Sequence, residues 1–262
     1  MLKRRLIPVL YLKDGWIVRS ENFTIHSVIG DPKIHIDRLV SWDVDEVIIV
    51  NISSKFDGVL HQRDDYKNKP TSDIISLVRI LATECRTPLS YGGGINCLAQ
   101  AAELISSGAD KVILNKLYYK SAREVEKIAK TFGSQAVVLS VDYRYVEKTA
   151  MVFIENASIN TQITPQDWIR QAEDFGVGEI FLNCADRDGA ATGYDIDLIA
   201  DVVRQTTRPV IACGGAGSIG DFQTVFEETG VEAVAAGNIF HFSENCYPRA
   251  KKHLKLSKVN VR

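Results

Sequence analysis

The chain has no two cysteines spaced C-x-x-C, and its five (Cys85, Cys97, Cys184, Cys213 and Cys246) are odd in number. That argues against both a disulfide framework and a zinc knuckle. Histidine is sparse too: His26, His35, His61, His241 and His253 lie far apart, so no metal site is expected, and no cofactor. No apolar run approaches the roughly 18 residues of a membrane span. The basic start MLKRR is not followed by an apolar core with a cleavage site. A strong excess of one charge is also missing. The formal net charge is −2, with a pI near 6.2, which speaks against bulk nucleic-acid binding or an anionic membrane surface. The expected location is the cytoplasm.

What is present is an alternation. Short apolar stretches fit strands at Leu6–Tyr11, Glu46–Ile52, Pro88–Tyr91, Lys111–Leu114, Ala136–Val141, Glu179–Asn183, Pro209–Ala212 and Ala233–Ala236. Their unbroken apolar character suits parallel strands buried on both faces. Amphipathic helices fall between them. Ser121-Ala-Arg-Glu124 reads as a capping box, and Thr164-Pro165 as a cap followed by proline in the first turn. Eight strand–helix units in 262 residues predict a TIM barrel, with an open doubly wound sheet as the competing architecture.

The sequence also repeats itself. TPLSYGGGI (87–95) echoes RPVIACGGAGSI (208–219), GADKVILN (108–115) echoes GVEAVAAGN (230–238), and EVIIVNIS (46–53) echoes EIFLNCAD (179–186). One domain over 1–262 therefore reads as two half-barrels, roughly 1–131 and 132–262. In that register strand 1 aligns with strand 5, and Tyr11 with Asp142. Residues 14–31 and 53–72 read as long polar loops on the rim where strands end. Residues 143–163 read as a third loop holding a small hairpin.

Glycine-rich turns follow strands 3 and 7. Glycine lets the backbone approach an anion closely, and a helix start just beyond adds its positive end. Gly93 and Gly94 with Asn115 form one candidate phosphate site. Gly214 and Gly215 with Gly237 and Asn238 form its symmetric counterpart. Together they suggest a phosphorylated small-molecule ligand with two anionic ends. Asp142 ends strand 5 and is the candidate general acid or base. Asp188, in the turn DRDG, either bonds a ligand hydroxyl or orders the turn. Arg5, Glu46, Lys111 and Glu179 begin strands 1, 2, 4 and 6. Their alternating charges could ring the opposite end of the barrel and gate an axial passage.

FGSQAVVLSVD (132–142), DRDGAATGYD (186–195), ACGGAGSI (212–219) and the tail VNVR (259–262), with KDG at 13–15 and GDP at 30–32, resemble the cyclase subunit of imidazole glycerol phosphate synthase, HisF. The resemblance spans nearly the whole chain apart from the 53–72 insertion. It implies pairing with a HisH-like glutaminase, whose ammonia passes along the barrel axis to a bisphosphorylated substrate. It maps the gate onto Arg5, Glu46, Lys111 and Glu179. It maps phosphate binding onto Gly94, Asn115, Gly189, Gly214, Gly215, Gly237 and Asn238, and a basic loop position onto Arg19.

The departures are as telling. Lys116 and Asn238 stand where the family has small hydroxyl residues, and Asn51 where it has aspartate. The family cyclase works with two aspartates; Asp142 matches the second, and Tyr11 stands in place of the first. A phenol with a pKa of about 10 is no substitute for a carboxylate near neutrality. Three readings follow. The chain supplies ammonia to a third enzyme that amidinates a sugar in surface-polysaccharide synthesis, as the second-copy branch of the family implies. Or it is a true cyclase of histidine synthesis. Or it is a non-enzymatic scaffold that activates a glutaminase.

Overall fold

The computed structural model describes residues 3–53 and 73–262 of the chain. All but Ser53 of the 53–72 insertion lies outside the described residues. The apolar stretches become strands: β1 Arg5–Lys13, β2 Trp16–Glu21, β3 Ile25–Gly30, β4 Val47–Asn51, β5 Leu89–Gly92, β6 Lys111–Leu114, β7 Val137–Val146, β8 Thr149–Ile154, β9 Ile159–Asn160, β10 Glu179–Cys184, β11 Val210–Cys213 and β12 Ala233–Ala236. The helices between them are α1 Pro32–Ser41, α2 Ile74–Glu84, α3 Leu98–Ser106, α4 Lys116–Lys120, α5 Ala122–Phe132, α6 Pro165–Glu173, α7 Ile196–Gln205, α8 Ile219–Thr229, α9 Ile239–Phe242 and α10 Cys246–Leu256.

Eight strands pair in parallel in the order β1, β4, β5, β6, β7, β10, β11 and β12, and β12 returns to β1. The sheet is closed, so the chain is a (β/α)8 TIM barrel and the open doubly wound alternative falls. Parallel strands have two buried faces, and the core divides accordingly. Ile7, Val9, Ile48, Val138, Phe181 and Ile211 belong to a cluster inside the barrel. Leu6, Leu10, Val47, Leu139, Leu182 and Ala212 point outward into the larger cluster beneath the helices. Alternation by two along each strand makes this division, since neighbouring side chains point to opposite faces.

Residues 14–31 are not a loop. Asp14 and Gly15 take positive φ, 50° and 85°, and close a two-residue turn from β1 into β2, which β3 extends. A mirror-type turn of this kind matches the right-handed twist of its flanking strands, and Asp-Gly is its favoured pair. The strand signal after it is obscured because Ile25 and Val28 face solvent, 58% and 55% exposed. After barrel strand 5, Glu147 and Lys148 turn at φ 48° and 73°, and β8 folds back on β7. Here the expected hairpin is present. The two hairpins occupy equivalent places in the two halves: Tyr11 pairs with Val18, Asp142 with Phe153.

Helix starts follow the sequence with one correction. Thr164 Oγ1 accepts from the Asp167 N–H at 3.2 Å, with Pro165 opening α6. Ser121 makes no capping bond at α5. Glu124 instead takes Lys127 Nζ at 2.6 Å and the Leu98 N–H at 3.3 Å, so packing against α3 outcompetes the local box. A true box forms at Ser218 and Asp221 of α8. Among the described residues no helix is long and apolar enough to cross a membrane.

Candidate functional site

At the strand-start end, four side chains form a closed cycle of ion pairs. Arg5 bonds Glu46 Oε2 at 2.7 Å and also bonds Glu179. Lys111 Nζ lies 3.0 Å from Glu46 Oε1 and 2.7 Å from Glu179 Oε2. Each cation therefore bridges both carboxylates. Ser90 Oγ adds a bond to Glu46 at 2.9 Å. Burial alone would push the Glu46 carboxyl up, but the Lys111 and Arg5 charges outweigh it and hold it below the usual range. Arg5, Lys111 and Glu179 begin their strands and Glu46 immediately precedes β4, all in phase with the inward-facing Ile7, Ile48 and Phe181, so the cycle lies at that end of the barrel interior. Lys111 is the most exposed member, at 18% against 2% for Glu46.

At the opposite end two cavities flank the axis. The first, about 460 Å³, is lined by Gly93, Gly94, Asn115, Lys116, Asp142 and Asn183 among others. The second, about 280 Å³, is lined by Arg19, Asp188, Gly189, Gly214, Gly215, Gly237 and Asn238 among others. Tyr11 is the one described residue that lines both. The cavities are thus related by the sequence repeat, each under its own glycine turn. Those turns require glycine. Gly93 sits at φ +106°, and a Cβ there would stand 1.9 Å from the Asn51 carbonyl oxygen; its counterpart Gly214 sits at φ +97°, where a Cβ would stand 2.6 Å from the Cys184 carbonyl oxygen. Not every helix N–H is free for an anion. Asp221 already accepts from the Gly217 and Ser218 N–H groups, at 2.8 Å each.

Several of the predicted binding side chains are engaged within the protein. Asn115 Nδ2 donates to Asp142 Oδ2 and to the Ser140 and Phe153 carbonyls, all at 3.3 Å. Asn238 Nδ2 donates to the Ser20 carbonyl at 2.8 Å. Arg19 pairs with Glu21 at 2.6 Å, and its guanidinium lies 5.7 Å from the Phe242 ring centre. Asp188 is buried, 6% exposed, and takes the Phe23 N–H at 3.2 Å, so it fastens the first hairpin. Lys116 pairs with Glu155 from the second hairpin.

Asp142 is not a solvated loop aspartate. It lies within β7, faces the lumen mouth, and accepts from Asn183 Nδ2 at 2.9 Å and Ser140 Oγ at 3.3 Å. Burial pushes its carboxyl up to about 6, against the pull of those two donors. Tyr11 is 3% exposed and meets Phe23 edge to face at 5.7 Å. Burial, with Cys213, Asp188 and Asp142 nearby, pushes its phenol well above the ordinary value. It holds its proton at any physiological pH and cannot serve as a base.

Sequence reasoning missed Asn183, Cys213 and Arg144. The first two follow from counting by twos: Glu179, Phe181 and Asn183 share one face of β10, as Ile211 and Cys213 do on β11. Arg144 carried no such signal. It binds Asp186 Oδ1 at 2.8 Å, the Asn22 carbonyl at 2.7 Å and the Ala157 carbonyl at 3.1 Å. Three separate rim segments thereby meet at one guanidinium.

Comparison with known proteins agrees with this architecture. A family model described as "Histidine biosynthesis protein" matches residues 5–245. A Thermotoga sp. (strain RQ2) protein named "Imidazole glycerol phosphate synthase subunit HisF" is 37% identical over 263 residues, covering 100% of this chain and 98% of its own. A Hydrogenobaculum sp. protein of the same name is 35% identical over the full length of both chains. A Pseudomonas aeruginosa protein whose name includes "imidazole glycerol phosphate synthase subunit hisF2" is 40% identical over 243 residues, 92% of each.

Proposed function

Because the chain belongs to the histidine biosynthesis protein family, in its HisF-like branch, we propose that it is the barrel subunit of a glutamine-dependent amidotransferase complex. In this reading a HisH-like glutaminase docks on the strand-start face and releases ammonia against the ion-pair cycle. Ammonia then crosses the apolar lumen to the face with the two glycine pockets. There it serves a third enzyme that amidinates a sugar during surface-polysaccharide synthesis.

The observation that carries the proposal is the closed cycle of Arg5, Glu46, Lys111 and Glu179 over one end of that lumen. Breaking a buried ion pair by removing one partner is costly. A cation that swings aside while the other still bridges both carboxylates leaves each carboxylate a cationic partner. Lys111, on a flexible four-carbon stem, is suited to that movement. The tyrosine at position 11 favours supply of ammonia over cyclisation, since a buried phenol replaces one of two acids.

Reversing charge with Lys111→Glu or Glu179→Lys should uncouple glutamine hydrolysis from ammonia delivery. Failure of the purified chain to bind or stimulate any co-encoded glutaminase would overturn the proposal. The second reading, a cyclase making imidazole glycerol phosphate, is favoured by one observation: an Asp142 carboxyl at about 6 is poised for proton transfer near neutrality.

A further inference from the structure

A cavity of about 460 Å³ opens on the outer wall of the barrel, between α4 and α6, and shares no lining residue with either glycine pocket. Four aromatic rings wall it: Tyr118 and Tyr119 from α4, Trp168 from α6, and Phe175 just beyond α6. Tyr118 meets Trp168 and Phe175 at steep angles, 77° and 63°, with ring centres 5.0 and 6.1 Å apart. Tyr119 stacks on Trp168 and is 50% exposed, so it is the wall that faces solvent. Cations lie over Phe226, Phe242, Trp42 and Tyr247, but over none of these four rings among the described residues. Two polar groups at the cavity are left over. The Trp168 indole N–H is buried and has no hydrogen-bond partner among the described residues. A buried donor without a partner is rare in native proteins and marks a place where a ligand or water supplies the acceptor. Asp174, the C-terminal cap of α6, makes no side-chain hydrogen bond or ion pair among the described residues. Arg170, one turn earlier, bonds Asp167 instead. Burial, then the Asp174 charge, raise the Tyr118 phenol to about 12, so that carboxylate bears on the cavity.

We propose that this cavity binds a small organic cation that carries a hydroxyl oxygen, with choline as the simplest example. The walls select it. The face of an aromatic ring is negative, so rings set at steep angles attract a cation, and a quaternary ammonium group is the charge that such boxes hold. Asp174 is the one charged residue lining the cavity among the described residues, and it supplies the counter-charge. The Trp168 N–H needs an acceptor, which a bare alkylammonium lacks and a hydroxyl on the same molecule provides. Gln171 lines the cavity as well, and its carboxamide oxygen can take the hydroxyl proton. An apolar occupant would leave both polar groups unanswered, and an anion would meet Asp174. Tyr119, half out in solvent, admits the oxygen to the indole when it turns aside. The same short helix carries Lys116, at the rim of the first glycine pocket, so the two sites lie one helix apart. The site does not rest on the ammonia-delivery reading.

The test uses the intact chain, isotope-labelled at tryptophan nitrogen, and follows by NMR the indole N–H signals of its three tryptophans, Trp16, Trp42 and Trp168. Choline chloride is titrated against sodium chloride at equal ionic strength, and against dimethylbutanol, the isostere with carbon in place of the charged nitrogen. Choline should shift the Trp168 signal saturably and leave Trp16 and Trp42 in place. The isostere should bind roughly tenfold more weakly, and so should choline to Asp174→Asn. Tyr119→Ala removes the exposed wall and should also weaken choline, with unmoved Trp16 and Trp42 signals showing the fold intact. The lack of a saturable shift with choline would overturn the site and leave the Trp168 N–H to water. Equal affinity for the isostere would overturn it in favour of a plain apolar cavity. Parallel shifts of all three signals would overturn it as a general effect of the salt.

Discussion

The side-chain amide of Asn115 donates to Oδ2 of Asp142 across 3.3 Å. A residue on the rim of the first glycine pocket thus helps hold the acid at the lumen mouth. Its repeat partner Asn238 is committed in the same way, to the Ser20 carbonyl. Anion affinity must then come chiefly from the glycine-turn N–H groups. Calorimetric titration with inorganic phosphate should find two sites. Asn115→Ala and Asn238→Ala should each weaken one of them by no more than about tenfold, the scale of a single neutral hydrogen bond. Complete loss at either site would show the amides to be primary ligands.

Asp142 should make the fold less stable at neutral pH. Burial raises its carboxyl to about 6, so the folded chain holds that proton more tightly than the unfolded one does. Stability is then greatest below the unfolded carboxylate value near 4 and falls as pH rises through about 6. Asp142→Asn should raise stability by roughly 1–2 kcal/mol at pH 7.5, and the gain should vanish near pH 4. Thermal melts at the two pH values measure it. An equal effect at both would show the change to be one of packing.

The histidine pair between α1 and α9 should make the protein acid-sensitive. Arg38 Nη2 lies 3.1 Å from His35 Nδ1 and 3.0 Å from His241 Nδ1, and the two rings meet edge to face at 5.0 Å. Burial, then His35 and Arg38, push the His241 imidazole down to about 3. His35 is lowered too, by burial and Arg38, with a smaller opposing pull from Asp31. Both rings stay neutral in the fold, so stability is complete above about 6.5 and is lost as pH falls toward 3. His241→Gln keeps an acceptor for Arg38 and should cut the loss between pH 7.5 and pH 5 by roughly 1–2 kcal/mol. Urea midpoints at both pH values decide it; parallel shifts in the two proteins would refute it.

Tyr11→Asp should restore part of a two-acid site. A general acid–base contribution is typically 10²–10⁴-fold, or roughly 3–5 kcal/mol of barrier. The new carboxylate would be buried near Asp142 and Asp188, so the variant should also be less stable. Turnover of the bisphosphorylated cyclase substrate, with ammonium salt supplied directly, is the measurement. Robust turnover by the unmodified chain would promote the histidine-pathway cyclase and sink the specialised reading of Tyr11.

The sequence by itself determined the barrel, its two-fold repeat and the placement of most candidate residues. Unbroken apolar runs separated by amphipathic stretches have few other solutions, and alternation by two decides which side chains face the lumen. Arg5, Glu46, Lys111 and Glu179 could be named as a ring because each starts a strand on the same phase. Gly93 and Gly214 could be named because only glycine suits their backbone. The tertiary structure decided which of these groups are free. Ser121 and Glu124 fit a local capping box, yet Glu124 turns to α3 and Lys127. Residues 14–31 read as loop because Ile25 and Val28 face solvent, although Asp14-Gly15 carries a hairpin turn. Nothing local shows that Asn183 gives one end of its amide to Asp142 and leaves the other unpaired, or that Arg144 joins three rim segments. Those pairings join residues far apart in the chain. They exist only because closing the sheet sets β7 beside β10 and brings both hairpins over one mouth, where competition for hydrogen bonds among distant neighbours decides each partner.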